Sequence, residues 1–179
     1  MNAPAPETRP PRHDEAAHTL LAFAAEVAAD TGVVARLVPH PTERTWVRLA
    51  GPDGSEAWLI GWPPGTTTGW HDHGGSCGAL VVVRGELTEH ALAMPAPLTS
   101  GQAVRVDNPG ITQRCVPPGH GLAFGPDHVH AMANESPGTP AVSVHAYHPR
   151  LPWMRKYLLT GDRLVVSHIE YAEEWTNDR

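Results

Sequence analysis

The pair His71 and His73 is the clearest chemical signal in this 179-residue chain, which has twelve histidines and two cysteines. Residues two apart in extended backbone point to one side, so both imidazoles face one point while Asp72 turns away. Neutral imidazole is a common ligand of divalent transition metals, so the pair indicates a metal site. A His-x-His pair alone also arises by chance. A third imidazole has two candidates, His128 and His130, which periodicity does not separate because they too are two residues apart.

A second set of polar residues alternates with small apolar ones in the predicted strand Ala141–Tyr147. Ser143, His145 and Tyr147 share one face of this strand. Such a face usually lies in water, and the alternative is that it points into a barrel, where its polar groups need hydrogen-bond partners. On an earlier strand, Arg48 is by default a solvated residue, but its planar guanidinium suits a carboxylate ligand.

The elements that must position these residues are one helix and many short strands. Apolar periodicity predicts a helix over roughly 14–31, after a disordered tail at 1–12. Turn signals separate the predicted strands Thr45–Leu49, Glu56–Trp62, Ala79–Val83, Glu86–Leu92, Ala103–Val106, Gly121–Phe124, Ala141–Tyr147 and Arg163–Ile169. Leu151–Leu159 is predicted as a short helical turn, and Glu86 and Glu89 as a solvated strand face. The pattern favours an all-β fold, a small barrel or jelly roll with an N-terminal helix, and a single domain over 13–179 that ends in a strand extension.

Composition excludes several classes of partner. The net charge of −6 argues against nucleic acid or an anionic membrane surface as the main partner. The longest apolar run is far short of the roughly 20 residues that a spanning helix needs. Two cysteines exclude a disulfide framework and favour a cytoplasmic location. The sequence says nothing about the oligomeric state.

The segment from about Arg44 to Pro149 resembles the cupin family, whose fold is a small β-barrel. Two motifs carry the resemblance: Gly65, His71, His73, Gly78 and Gly85, then Gly119, Pro126, His130 and Asn134. The match to His-x-x-x-Asn favours His130 over His128. Many cupins have a glutamate where this chain has Gly78, so the resemblance implies three neutral ligands: His71, His73 and His130. This set leaves a metal its full charge and about three open positions.

Within the cupins, the chain is similar to the cysteine dioxygenase family of thiol dioxygenases, in residues 61–92 and in the run AVSVHAYHP (141–149). The resemblance implies one Fe(II) per chain and the conversion of L-cysteine and O2 to cysteine sulfinic acid. It implies that Arg48 binds the substrate carboxylate. It also implies that Ser143 and His145 orient the hydroxyl of Tyr147 beside the metal and substrate. The affinity order alone would favour copper or zinc over iron, so the metal is an expectation from the family.

The chain departs from the family at three positions. Gly78 replaces the cysteine that forms a thioether with the tyrosine in mammalian enzymes, and Cys77 points to the opposite face, so we predict no such crosslink. Trp46 replaces a tyrosine often found two residues before the arginine. The bond before Pro149 is cis in cysteine-specific relatives, and the sequence permits that geometry.

Other functions stay open at this point. The nearest is the same chemistry on another small thiol, such as 3-mercaptopropionate. Arg48 and His148-Pro149 favour cysteine, whereas a different arginine in the pocket reverses that preference. A non-catalytic cupin module that binds a metal or small ligand explains the histidines equally well. A metal-dependent isomerase usually needs a carboxylate ligand, which Gly78 removes.

Overall fold

The predicted helix is present and covers one face of a sheet. A computed structural model describes residues 13–93, 103–106 and 110–175. In it α1 (His13–Ala29) is followed by a single helical turn, α2 (Thr31–Val34). The first helix stops short of residue 31 because the carboxylate of Asp30 accepts hydrogen bonds from the backbone of Gly32 and Val33, which caps α2. The predicted tail at 1–12 lies outside the described residues.

Twelve strands follow within the described residues. They are β1 (Thr45–Ala50), β2 (Glu56–Trp62), β3 (Trp70–His71), β4 (Cys77–Arg84), β5 (Leu87–Leu92), β6 (Ala103–Arg105), β7 (Ile111–Val116), β8 (Gly121–Phe124), β9 (His130–Ala133), β10 (Ala141–His148), β11 (Trp153–Thr160) and β12 (Arg163–Tyr171). Single turns of 3-10 helix lie at Pro52–Gly54 and Ala172–Glu174. One sheet has the order β1-β2-β10-β4-β8, and the other β6-β12-β11-β3-β9-β5-β7. Neighbouring strands within each sheet pair in the antiparallel direction.

The predicted fold class, an all-β barrel with an N-terminal helix, is confirmed. Each predicted strand coincides with an observed one, whereas strands β3, β7 and β9 were not predicted. The prediction of a helical turn in Leu151–Leu159 is wrong: β11 forms a hairpin with β12, and Thr160 pairs with Arg163 across a two-residue loop. No helix in the described ranges is long and apolar enough to cross a membrane.

Strand β10 is buried on both faces. Its apolar residues Val142, Val144 and Ala146 belong to a core cluster with Leu20 and Ala24 of α1. Ser143 and His145, which alternate with them, are also buried, at 0% and 3% exposure. The helix covers the apolar face, so the polar face must point between the two sheets. This placement decides the alternative that the alternating pattern left open. The bond between His148 and Pro149 at the end of β10 is cis.

Gly78 of β4 lies opposite Tyr147 of β10. A Cβ atom at this glycine would overlap the ring of Phe124. Cys77 pairs with His148 and packs in the cluster beneath α1, whereas Tyr147 packs in the cluster between the sheets. Both cysteines of the chain are free. The space that a side chain at position 78 would need is therefore occupied by the ring of Phe124.

We predict that Gly78→Ala lowers the free energy of unfolding by about 1–3 kcal/mol, the usual cost of overpacking a core. Urea denaturation followed by circular dichroism measures the change. Gly125→Ala is the matched control, because a Cβ there meets open space, and its effect should stay within about 0.5 kcal/mol. Equal effects of the two substitutions would contradict this account of Gly78.

Candidate metal centre

Three imidazoles converge between the sheets. The rings of His71, His73 and His130 are 0–2% exposed, and their centroids lie 4.8–5.0 Å apart in each pair. One ring nitrogen from each lies within 4.8 Å of the others, which is the arrangement of a group that can hold a metal ion. The structure thus brings together the three histidines that the motif resemblance selected.

The hydrogen bonds of the triad fit a metal. Nδ1 of His71 lies 3.1 Å from the carbonyl oxygen of Gly69, and Nδ1 of His130 lies 2.8 Å from Oε1 of Glu89. A carbonyl or carboxylate accepts, so both Nδ1 atoms carry the proton and both Nε2 lone pairs are free. Nε2 of His130 and both ring nitrogens of His73 are buried and have no hydrogen-bond partner within the described residues. Buried polar atoms are rarely left in this state, and a cation bound by one nitrogen from each ring explains Nε2 of His130 and one of the two nitrogens of His73.

The electrostatics also favour neutral ligands. Burial, reinforced by the neighbouring imidazoles, lowers the pKa of His71 and of His73 well below the ordinary value. Burial also lowers the pKa of His130, against the opposing effect of its hydrogen bond to Glu89. Neutral imidazoles present lone pairs without first losing a proton, so the site is prepared for a divalent cation at physiological pH.

Local structure fixes the two ligands of the His-x-His pair. His71 in β3 lies directly opposite His130 in β9. Asp72 points away from the triad, as its position between the histidines predicts, and accepts a hydrogen bond of 2.5 Å from the hydroxyl of Tyr157. The same carboxylate accepts from the backbone N–H of Gly74 at 3.2 Å. These bonds tie the turn after His71 to strand β11.

His128 lies beside the triad and points elsewhere. Its Nε2 lies 2.9 Å from Oε1 of Glu89, the same oxygen that accepts from His130. The interpretation of Glu89 as part of a solvated strand face is wrong, since this residue is 1% exposed. Burial opposes its ionisation, but hydrogen bonds from His128, His130 and Arg114 outweigh burial and hold the pKa of Glu89 well below its ordinary value.

The predicted group on β10 forms a buried hydrogen-bonded chain. The Oγ atom of Ser143 lies 2.9 Å from Nε2 of His145, whose Nδ1 lies 3.4 Å from the Tyr147 hydroxyl. Trp62, which the sequence indicated only as core or pocket wall, begins the chain by donating from Nε1 to Ser143 at 2.8 Å. The ring of Tyr147 lies 5.3 Å from that of His73, measured between centroids. The chain thus ends beside the triad.

Burial sets the charge state of this chain. It lowers the pKa of His145 to about 3, with further lowering by His130 and Arg44. It raises the pKa of Tyr147 above the ordinary value, and Glu56 raises it further. At physiological pH the imidazole of His145 is therefore neutral and the phenol of Tyr147 is protonated. Tyr147 keeps its hydroxyl proton available for donation.

A cavity opens from the triad towards the surface. The residues that line it include His71, His145, Tyr147, three tryptophans (Trp46, Trp58 and Trp175) and three ionic groups (Arg44, Lys156 and Glu170). Arg44 is half-buried, with its guanidinium carbon 5.2 Å from the centroid of the Trp62 ring. The cavity therefore offers two cations and one carboxylate, together with Tyr147 and with His71 of the triad.

Arg48, which the resemblance implies as the partner of the substrate carboxylate, does not line this cavity. Its Nε donates to the buried carboxylate of Glu56 at 2.6 Å, and its side chain is 43% exposed. The guanidinium carbon lies over the ring of Trp58, 5.0 Å from its centroid. Arg44 and Arg48 share one face of the β1 segment, but four residues of extended chain separate them by about 13 Å. Arg44, which sequence reasoning missed, is the arginine of the cavity.

Two packed antiparallel sheets around a buried histidine triad define a cupin. The fold resembles TT1209 from Thermus thermophilus, with a TM-score of 0.50 and 19% identity over 65% of this chain and 94% of that one. An uncharacterized conserved protein with a double-stranded β-helix domain from Klebsiella pneumoniae gives a TM-score of 0.48 and 17% identity, over 75% of this chain and 94% of that one. An oxalate oxidase in complex with glycolate gives a TM-score of 0.46 and 18% identity, over 60% of this chain and 52% of that one, so this chain spans about half its length.

The family follows from the sequence comparison. Residues 19–159 match the family model described as cysteine dioxygenase type I. The chain belongs to this family, which confirms the predicted resemblance, and its function is that of a metal-dependent cupin of the dioxygenase type. No curated protein sequence matches the chain at a significant level.

We predict that His130→Ala abolishes stoichiometric Fe(II) binding, because it removes one of three converging ligands, whereas His128→Ala retains it. Iron bound per chain after anaerobic loading and desalting measures the difference, with about one iron per chain in the unmodified protein. Loss of iron in the His128 variant and retention in the His130 variant would reverse the ligand assignment.

Proposed function

We propose that this chain is an iron-dependent thiol dioxygenase that converts L-cysteine and O2 to cysteine sulfinic acid. The observation that carries the proposal is that Arg44 and Tyr147 line the same cavity as His71, one of the three converging histidines. A carboxylate anchor, a hydroxyl donor and a three-histidine site are then available to one small ligand. Membership of the cysteine dioxygenase type I family supports the choice of reaction.

The triad His71, His73 and His130 would hold Fe(II), and the fit rests on their unpartnered nitrogens and neutral rings. Iron bound there supplies the redox chemistry and lowers the pKa of a coordinating thiol. The protein contributes positioning and electrostatics. The open positions left by three protein ligands leave room for a substrate group and O2.

Arg44 would bind the substrate carboxylate. Its guanidinium is planar, always charged and able to donate two parallel hydrogen bonds to a carboxylate. Packing over the ring of Trp62 holds this side chain at the wall of the cavity. With Lys156 it makes two cations against the single carboxylate of Glu170, so the lining favours a thiol that carries a carboxylate over cysteamine, which carries none.

Tyr147 would donate a hydrogen bond to the bound substrate or to O2. Trp62 can only donate to Ser143, and the Ser143 hydroxyl can in turn donate to Nε2 of His145. The neutral imidazole then carries its proton on Nδ1 and donates to the oxygen of Tyr147. With these donors, none of the hydrogen bonds that link Trp62, Ser143, His145 and Tyr147 uses the hydroxyl proton of Tyr147. This proton would therefore be donated to a ligand.

A second substrate, 3-mercaptopropionate, is favoured by one observation. The preference for cysteine relied in part on Arg48, beside His148-Pro149, and the arginine of the cavity is Arg44 instead. Both thiols present a carboxylate to Arg44, and only cysteine adds an amine. The family match supports cysteine, so cysteine is the proposed substrate and 3-mercaptopropionate is the alternative.

We predict that the protein, loaded anaerobically with Fe(II), consumes O2 and forms a sulfinate with L-cysteine, more slowly with 3-mercaptopropionate, and not with cysteamine. An oxygen electrode and product analysis by mass spectrometry make the comparison, with protein kept free of iron as the blank. Faster turnover of 3-mercaptopropionate would make it the substrate. Absence of uptake with every thiol by iron-loaded protein would refute a dioxygenase and leave a binding module.

We predict that Arg44→Gln lowers kcat/KM for the carboxylate-bearing thiol about 10- to 100-fold, as expected for loss of a hydrogen-bonded charge pair of about 1.5–3 kcal/mol. Arg48→Gln is the matched control, since the same change there falls outside the cavity, and its kcat/KM should stay near the original value once folded protein is compared. A larger loss in the Arg48 variant would return the carboxylate role to Arg48.

A further inference from the structure

The carboxylate of Glu89 occupies a central position next to the metal centre. Glu89 lies on β5, where it pairs with Arg114 of β7 on one side and with Met132 of β9 on the other. Its side chain is 2% exposed. Taking a carboxylate out of water is costly unless charged or hydrogen-bonded partners compensate, so these contacts explain how it is tolerated here.

Each oxygen of this carboxylate has its own partners. Oε1 lies 2.8 Å from Nδ1 of His130 and 2.9 Å from Nε2 of His128. Oε2 accepts from Nη2 and Nε of Arg114 at 2.6 and 3.1 Å. The side chain of Arg114 is 52% exposed, whereas that of His130 is fully buried. Glu89 therefore links a buried histidine of the triad to a cation at the surface.

The three histidines of the triad differ in what holds their second nitrogen. Nδ1 of His71 meets a backbone carbonyl, and neither nitrogen of His73 has a partner within the described residues. Among the three histidines of the triad, His130 is the one whose second ring nitrogen contacts a carboxylate within the described residues. A negative charge at that nitrogen fixes the proton on Nδ1, aligns the ring and makes the opposite Nε2 atom a stronger electron donor.

We propose that Glu89 is a positioning residue of the metal centre, which sets the tautomer, orientation and donor strength of His130. This inference rests on the proposed function only in placing a metal at the triad. Glu89 does not itself serve as a ligand of a second cation there. Its contacts with His128 and His130 have hydrogen-bond lengths, and Arg114 occupies its other oxygen.

The test is a Co(II) titration of the full chain, in competition with a chelator and followed by visible absorption. Glu89→Gln should weaken Co(II) binding about 10- to 100-fold, the usual effect of removing such a partner, and should shift the absorption bands of the bound ion. Glu86→Gln makes the same chemical change at the exposed residue just before β5 and should match the unmodified protein in affinity and spectrum.

Wild-type affinity and spectrum in Glu89→Gln would overturn the proposal. If that variant does not fold, Glu89→Asp decides, because its side chain is shorter by one methylene and withdraws the carboxylate from His130. Weakened Co(II) binding supports the proposal, and unchanged binding overturns it. Failure of the unmodified protein to bind Co(II) or Fe(II) would overturn both this proposal and the proposed function. Metal binding without oxidation of any thiol would overturn the proposed function alone, and the titration would still decide the role of Glu89.

Discussion

Burial of both faces of β10 is the constraint on which the site depends. Helix α1 covers the apolar side of this strand, and the second sheet covers the polar side. Ser143 and His145 cannot reach water from there, so they must satisfy one another and Trp62. The same geometry carries the hydroxyl of Tyr147 to the histidine triad. If the polar face were exposed, water could replace these hydrogen bonds of Ser143 and His145.

Burial also determines the charge state of the metal centre. Desolvation keeps its three imidazoles neutral, so a cation is attracted by lone pairs and not by a cluster of carboxylates. Net charge enters only at the edges, through Glu89 behind His130 and through the ionic groups of the cavity wall. A divalent cation held by these neutral rings would keep its charge and attract an anionic ligand, and Arg44 adds a positive charge to the wall of the cavity.

Sequence periodicity predicted well which face of a strand a residue occupies, but it predicted poorly which residues along that face are buried or reach the cavity. It placed Arg48 on the correct side of β1, but the alternation of a strand repeats every two residues and does not say how far along the strand a cavity lies. Arg44 shares that side and meets the cavity. Glu89 was misjudged for a different reason: it shares a face with Leu87, which is fully buried, and this neighbour two residues away was a usable signal for burial.

The remaining failures arise from pairing, which a local pattern does not contain. Residues 153–160 become a strand because they meet β12 across the turn at Gly161, and the two runs read together do carry a hairpin signal. Motif spacing succeeded where the chemistry is local, as for His71 and His73. Selecting His130 over His128 needed the longer His-x-x-x-Asn pattern, since both histidines contact Glu89 and they differ in the ring nitrogen that makes this contact.

The central claim, that this chain adds both atoms of dioxygen to a thiol, is tested most directly by isotope labelling. The iron-loaded protein would turn over its thiol substrate under ¹⁸O2 in ordinary water, and mass spectrometry would count the labelled atoms in the sulfinate. The account predicts two ¹⁸O atoms in each sulfinate molecule. A product that carries one labelled atom or none would contradict it.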